Sequence, residues 1–196
     1  YSFTAGALTD DAGSGLSLTA VGAPASTTGA LGDANGAFSF SGTQYFSASD
    51  SGLPAGAAAR TMCAWIYPTI APENSFAISY GTVNSGQNSF LYVDGANTAG
   101  FGSYGANLQS TYNPPLNTWT HLCGVYDSAG FASLYAGGTI VPGGSATALA
   151  FTTLLSGSLR IGARSDNQYM WTGNLDGIRI YNRALGKNEI LELQGY

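Results

Sequence analysis

The strongest constraint on this chain is its rhythm. Apolar and polar residues alternate with a period of two along nearly the whole length, and Gly, Asn, Ser and Pro break the runs. A period of two sends successive side chains to opposite faces of a strand, so the pattern predicts short antiparallel strands. Strands are expected at residues 16–21, 37–40, 43–48, 60–67, 76–80, 89–93, 100–104, 119–126, 131–135, 158–162 and 174–181. Turn signals sit between them: Asp33-Ala-Asn-Gly36, Val93-Asp-Gly95 and Pro142-Gly-Gly144. Strands in this number and spacing predict an all-β chain, a two-sheet antiparallel jelly-roll sandwich, with a closed barrel as the alternative.

One short C-terminal helix is expected at residues 187–193, where helix formers run unbroken. Gly186 stands at the N-cap and Glu189 three residues on, a capping box with Gly in place of Ser or Thr. Ile190, Leu191 and Leu193 are its candidates for packing on the sandwich, and Gly195 is the expected stop. No linker or internal repeat divides the 196 residues, so residues 1–196 are read as one domain.

Only 9% of the residues are charged, against about 25% in ordinary globular proteins. The 24 aromatic residues (three Trp, twelve Tyr, nine Phe) argue against disorder. Six basic residues form no stripe, which points away from nucleic acid. No apolar run reaches the roughly 18 residues of a membrane span. Tyr1 opens into the β-like pattern without a signal peptide, as in a mature chain or an excised domain. There is no Asn-x-Ser/Thr sequon, which leans mildly away from a eukaryotic glycoprotein.

Five segments in order resemble the laminin-G-like, concanavalin-like jelly roll. They are Phe38-Ser-Phe-Ser-Gly-Thr-Gln-Tyr45, Thr61-Met-Cys-Ala-Trp-Ile-Tyr-Pro68, Trp119-Thr-His-Leu-Cys-Gly-Val-Tyr-Asp127, Leu159-Arg-Ile-Gly162 and Trp171-Thr-Gly-Asn-Leu-Asp-Gly-Ile-Arg-Ile-Tyr-Asn-Arg-Ala-Leu185. Tyr135-Ala-Gly-Gly138 departs from the pattern, which usually has Asp before the last Gly. Cys63 and Cys123 are placed like the pentraxin disulfide, and the resemblance implies that bond and an extracellular setting, whether secreted, cell surface or virion surface. Two Cys in an apparently exported chain also favour pairing; two buried free thiols are the alternative. With one His and no CxxC, zinc is disfavoured.

Glucanases of this fold use paired carboxylates on one strand. The three Glu are Glu73 in a loop and Glu189 and Glu192 in the helix, and none pairs with an Asp at strand spacing. The single His121 shares strand parity with Cys123 and Val125, and is expected to point toward the interior if that face holds the disulfide. No nucleophile or nucleotide motif is present, so the chain is read as non-catalytic.

Three candidate sites follow. The resemblance to pentraxins implies calcium on loops at one face: Gln87 takes the place of an Asp, Asn88 matches, Asp166 matches, and Arg164 takes an acidic position. That exchange disfavours pentraxin-type calcium and leaves the amide-rich loops, with Asn167 and Gln168, to bind a polar ligand. A second site would hold a structural cation between Asp10, Asp11 and Asp176, if the first and last strands pair; the alternative is Asx-turns. The third is an aromatic platform drawn from Tyr80, Tyr92, Phe101, Tyr104, Tyr112, Tyr169, Met170 and Trp171, with Tyr169 and Trp171 foremost. Aromatic faces beside amides hold sugars and also serve protein interfaces.

The expected role is recognition of a glycan or a cell-surface protein. Two others stay open. One is a structural subunit assembling with copies of itself (virion decoration or fibre, surface filament, surface layer), since scarce charge suits dense packing. The other is a targeting domain appended to a hydrolase.

Overall fold

The computed structural model describes every residue except 14, 15, 72, 73 and 196, so Glu73 lies outside the described residues. Among the described residues there are fifteen strands and one α-helix. They are β1 Thr19–Val21, β2 Ala25–Thr27, β3 Ala37–Ser41, β4 Tyr45–Ala48, β5 Arg60–Pro68, β6 Ser75–Gly81, β7 Asn88–Val93, β8 Ala99–Ser103, β9 Ala106–Gln109, β10 Thr120–Tyr126, β11 Phe131–Ala136, β12 Thr139–Ile140, β13 Thr147–Ala148, β14 Leu159–Ile161, β15 Thr172–Tyr181 and α1 Lys187–Glu192. All eleven expected strands are present, with ends shifted by up to three residues. Of the four unexpected ones, β2, β12 and β13 have only three, two and two residues, too few for alternation to declare itself, while β9 has four.

The strands form two antiparallel sheets. One runs β1-β4-β14-β6-β7-β8-β9; the other runs β12-β11-β10-β5-β15-β3-β2, with β13 beside β11. Each sheet has free edges, which settles sandwich against barrel. Between them lie Phe38, Phe40, Phe46, Met62, Ile66, Ile78, Tyr80, Leu91, Phe101, Leu122 and Leu175, all buried. Edge-to-face rings knit this core, with Phe38 and Phe40 at 4.8 and 5.4 Å from Phe46. Arg60 is also buried, yet every guanidinium hydrogen bond goes to a neutral acceptor: Tyr80, Thr153 and the carbonyls of Gly56 and Ala58.

Cys63 and Cys123 sit directly opposite each other on β5 and β10 and are joined by a disulfide. Their position corrects the sequence reading. Met62, Ala64 and Ile66 take the inner face of β5, so Cys63, Trp65 and Tyr67 face outward. The disulfide is therefore outside the sandwich core, in a second apolar cluster with Val125, Leu185 and Ile190 beneath α1. His121 shares that outer face and is nonetheless only 1% exposed. Helix α1 begins as expected, with the Gly186 N–H donating to Glu189 Oε2 at 2.8 Å. Ile190 is buried, and Leu191 is exposed instead of packed on the sheet.

Candidate functional site

The outer face of the seven-stranded sheet carries a third apolar cluster, Phe76, Phe90 and Tyr92. Alternation puts Phe90 and Tyr92 outward, since Leu91 and Val93 fill the inner face, and on β6 a register shift between Phe76 and Ile78 lets Phe76 join them while Ile78 stays in the core. The Phe76 and Tyr92 rings stack at 5.4 Å, and Phe90 meets both edge-on. Tyr92 lies flat across β8 at Gly100, where a Cβ would come within 2.4 Å of its ring. Only glycine leaves that space. The Tyr92 hydroxyl thereby reaches β9, donating to Gln109 and accepting from Asn107 Nδ2 at 2.7 Å. Burial pushes the Tyr92 phenol up to about 12, so it stays a hydrogen-bonding hydroxyl. Gln109 Nε2 in turn donates to Asp94 Oδ2 at 2.9 Å.

The loop at residues 162–171 folds over the other side of this floor. The Ser165 N–H donates to Ser79 Oγ at 3.1 Å, and the Phe76 N–H donates to the Tyr169 carbonyl at 3.2 Å. Within the loop Arg164 and Asp166 make a two-pronged pair at 2.8 and 2.6 Å. That pairing, above all its hydrogen bonds, raises the guanidinium pKa and lowers the carboxyl pKa. Asn167 Oδ1 accepts from Arg160 Nε at 2.7 Å, and Arg160 stacks on Tyr45 at 5.3 Å. Gln168 Oε1 accepts from Arg164 at 3.4 Å.

Tyr169 is held with a left-handed backbone, φ 53°. Such a conformation costs an ordinary residue roughly 1–2 kcal/mol. Here it projects the ring outward, 41% exposed, with the Arg164 guanidinium 4.4 Å from its centroid. Tyr104, 54% exposed, follows β8 with the outward parity of Gly100, opposite to the inward Phe101. The 84–88 loop holds Tyr104 in place, because Asn88 Oδ1 accepts from the Tyr104 N–H at 2.8 Å and the Gly86 N–H donates to the Tyr104 carbonyl.

Several sequence candidates have other jobs. Asn88 is fully buried, with Oδ1 committed to Ser103 Oγ and the Tyr104 N–H, so it positions Tyr104 and meets no ligand through that oxygen. Gln87 is half-buried beside it. Trp171 is corrected from contact residue to core: it is 1% exposed, with the inward parity of Leu175 on β15. Tyr80 and Phe101 are likewise core, while Tyr112 and Met170 are half-buried.

The expected cation site between the termini does not assemble. Asp11 takes the Tyr1 ammonium at 3.4 Å and the Ser2 N–H, and Asp10 caps its own turn through the Ala12 N–H. Asp176 instead accepts from the Ala30 and Gly177 N–H groups and neighbours Asp33. In the loop where the resemblance implied a calcium ligand, the Arg164 guanidinium uses both Asp166 oxygens. Among the described residues, one group of three metal-type donors converges, Cys63, His121 and Cys123. Its sulfurs are bonded to each other and are no thiolate ligands.

Sequence reasoning missed Phe76, Phe90, Arg160, Asn107 and Gln109. The signal for the last two was present: Asn107-Leu-Gln109 alternates, and Leu108 is inward.

A family model described as concanavalin A-like lectin/glucanases superfamily matches residues 40–191, and the chain belongs to that family. No curated protein matches it. Among solved structures, it resembles domain 4 of AbnA, a GH43 extracellular arabinanase from Geobacillus stearothermophilus, in complex with arabinotriose. The TM-score is 0.75 at 22% identity, over 98% of this chain and 95% of that one. The native heptameric SAP-like pentraxin of Limulus polyphemus aligns with a TM-score of 0.57 at 19% identity, over 79% of each chain. The CBM40 of the Ruminococcus gnavus IT-sialidase aligns at 0.55 and 14% identity, over 70% of this chain and 83% of that one. At these identities the likeness is one of fold.

Proposed function

We propose that residues 1–196 act as one non-catalytic carbohydrate-binding module working outside the cell, and that the outer face of the seven-stranded sheet is its sugar-binding surface. The carrying observation is the pair of exposed tyrosines, Tyr104 and Tyr169, beside an aromatic floor with amides at its margin. Sugar rings present CH faces to aromatic rings and hydroxyls to amides, and this face offers both. Backbone held in an unfavourable conformation at Tyr169 fits a residue kept for display. The names of the similar structures support a glycan ligand, since one holds arabinotriose and another is a sialidase CBM40. The disulfide supports an oxidising compartment. A targeting role, holding an attached hydrolase on its polymer, has one specific support: AbnA domain 4 is itself one domain of an arabinanase.

The non-catalytic reading rests on how the carboxylates of this face are used. Asp166 is locked by Arg164, and Asp94 accepts from the Ala96 and Thr98 N–H groups and from Gln109. The same pairing of Asp166 makes binding independent of calcium.

A glycan array, followed by calorimetry with the best hit in calcium and in chelator, tests the proposal. Tyr104→Ala and Tyr169→Ala should each weaken binding about tenfold, the equivalent of ~1.4 kcal/mol, with unchanged melting temperatures. A blank array in both conditions overturns the reading, as do two variants that bind like wild type. A blank array joined to concentration-dependent light scattering would turn the argument to an assembly subunit.

A further inference from the structure

A concavity lies away from the tyrosine face, on the outer face of the eight-stranded sheet. It is a trough of about 500 Å³ at the β10–β11–β12 end, within the range of about 300–1,000 Å³ usual for ligand sites. Its walls are the half-buried indoles of Trp65 and Trp119 together with Tyr112. Ile140, exposed, and the Gln194 amide form the rim. None of its lining residues is an Asp, Glu, Lys or Arg.

The trough is built by the sequence around it. The β11–β12 hairpin turns on Gly137-Gly138, and a Cβ at Gly138 would stand 2.3 Å from the Leu191 side chain and 3.0 Å from Gln194 Nε2. A bare hairpin thus lets the chain's C-terminal segment lie across it and supply the amide. This is the point where Tyr135-Ala-Gly-Gly138 departs from the pattern of similar sequences.

His121 lies at the trough, packed against Trp65 with 5.1 Å between ring centroids. Both ring nitrogens have the Cys123 sulfur, 3.9 Å away, as their hydrogen-bonding neighbour. A disulfide sulfur is a weak acceptor, so a buried imidazole is left with capacity that buried polar groups normally use. Burial first and Arg179 second lower its pKa to about 4, so it is uncharged. The lining therefore combines flat aromatic walls, an amide and an unspent neutral imidazole, with no charged side chain among the lining residues.

We infer that this trough is a second binding site, for a neutral sugar unit seated between Trp65 and Trp119 with hydroxyls on His121 and Gln194. It does not depend on the tyrosine face, and a module with both sites would bind a glycan chain bivalently.

The indoles supply a private readout. The chain has three tryptophans, Trp171 is in the core, and the tyrosine face contains none. The folded protein, labelled with nitrogen-15, is titrated to millimolar concentration with arabinotriose, xylotriose, cellotriose and maltotriose while the three indole N–H signals are followed. The Trp65 and Trp119 signals should move with at least one probe and the Trp171 signal should not. They should move equally in the Tyr104→Ala/Tyr169→Ala double variant. Trp119→Ala should reduce the Trp65 response at least fivefold, and His121→Gln, which keeps a donor and an acceptor, should retain most of it. Stationary Trp65 and Trp119 signals with every probe overturn the second site and leave the tyrosine face standing. Indole shifts that vanish in the tyrosine double variant also overturn it. Indole shifts with no effect of the tyrosine variants on binding would retain the trough and sink the first surface.

Discussion

A histidine closed off from water resists taking a second proton, and His121 is held in that way. In the unfolded chain its pKa returns to roughly 6.5. Between that value and about 4 the unfolded chain binds a proton that the folded chain refuses. The stability tied to neutral His121 is full above the unfolded pKa and is lost as pH falls toward the folded one. At 1.36 kcal/mol per unit, the loss reaches about 3 kcal/mol. Urea midpoints at pH 7, 6, 5 and 4 should fall more steeply for wild type than for His121→Gln; parallel curves would contradict this. At the same scale, strand parity alone told that His121 and Cys123 share a face. It did not tell which face, because Leu185 and Ile190, which cover the outer one, are more than 60 positions away from Cys123. Trp171 was misread for a related reason: its neighbours Asp166 to Tyr169 belong to a surface loop, while its own backbone already has the parity of β15.

Helix α1 shows how one short element settles a local environment. It has six residues and is far below the length that is stable alone in water. It persists because Ile190 enters the cluster around Cys63 and Cys123. Ile190→Ala should therefore cost about 2–4 kcal/mol, the usual range for an emptied core position. Leu191→Ala, at an exposed site, should cost under about 1 kcal/mol. Chemical denaturation of the two variants checks the contrast. The existence of the helix and its capping box were legible from Gly186 and Glu189, because those signals are local. Which of Ile190 and Leu191 faces inward depends on the angle at which the helix lands on the sheet, and a six-residue pattern does not encode that angle. The aromatic floor was legible only in part, for a similar cause. Tyr92 was among the platform candidates and Phe76 and Phe90 were not, since a strand buried on both faces loses its alternation.

At the scale of the molecule, the chain carries −5 spread over 196 residues, with the tyrosine face bearing paired charges and the trough none. Neutral ligands release no counterions, so the two surfaces predict weak dependence on salt. Sugar affinity should change less than about twofold between 0.05 and 0.5 M sodium chloride, a range over which exposed charge interactions are largely screened. A steep loss would mean that Arg160 and Arg164 are reading an anionic glycan. The two-sheet plan itself was the most legible property, because the period of two is repeated in every strand and errors at single ends do not accumulate. The partition of surfaces was less so, since each of them draws on loops distant in sequence.

The cover that α1 places over the disulfide has a kinetic consequence. A reductant must bring its thiolate to a sulfur atom, and both sulfurs here are beneath the helix. Reduction must then wait for the C-terminal segment to lift. With rising dithiothreitol the rate should climb and level off at the lifting rate, and Ile190→Ala should raise that plateau. The bond between Cys63 and Cys123 would in this way serve as a clock for how often the end of the chain comes away.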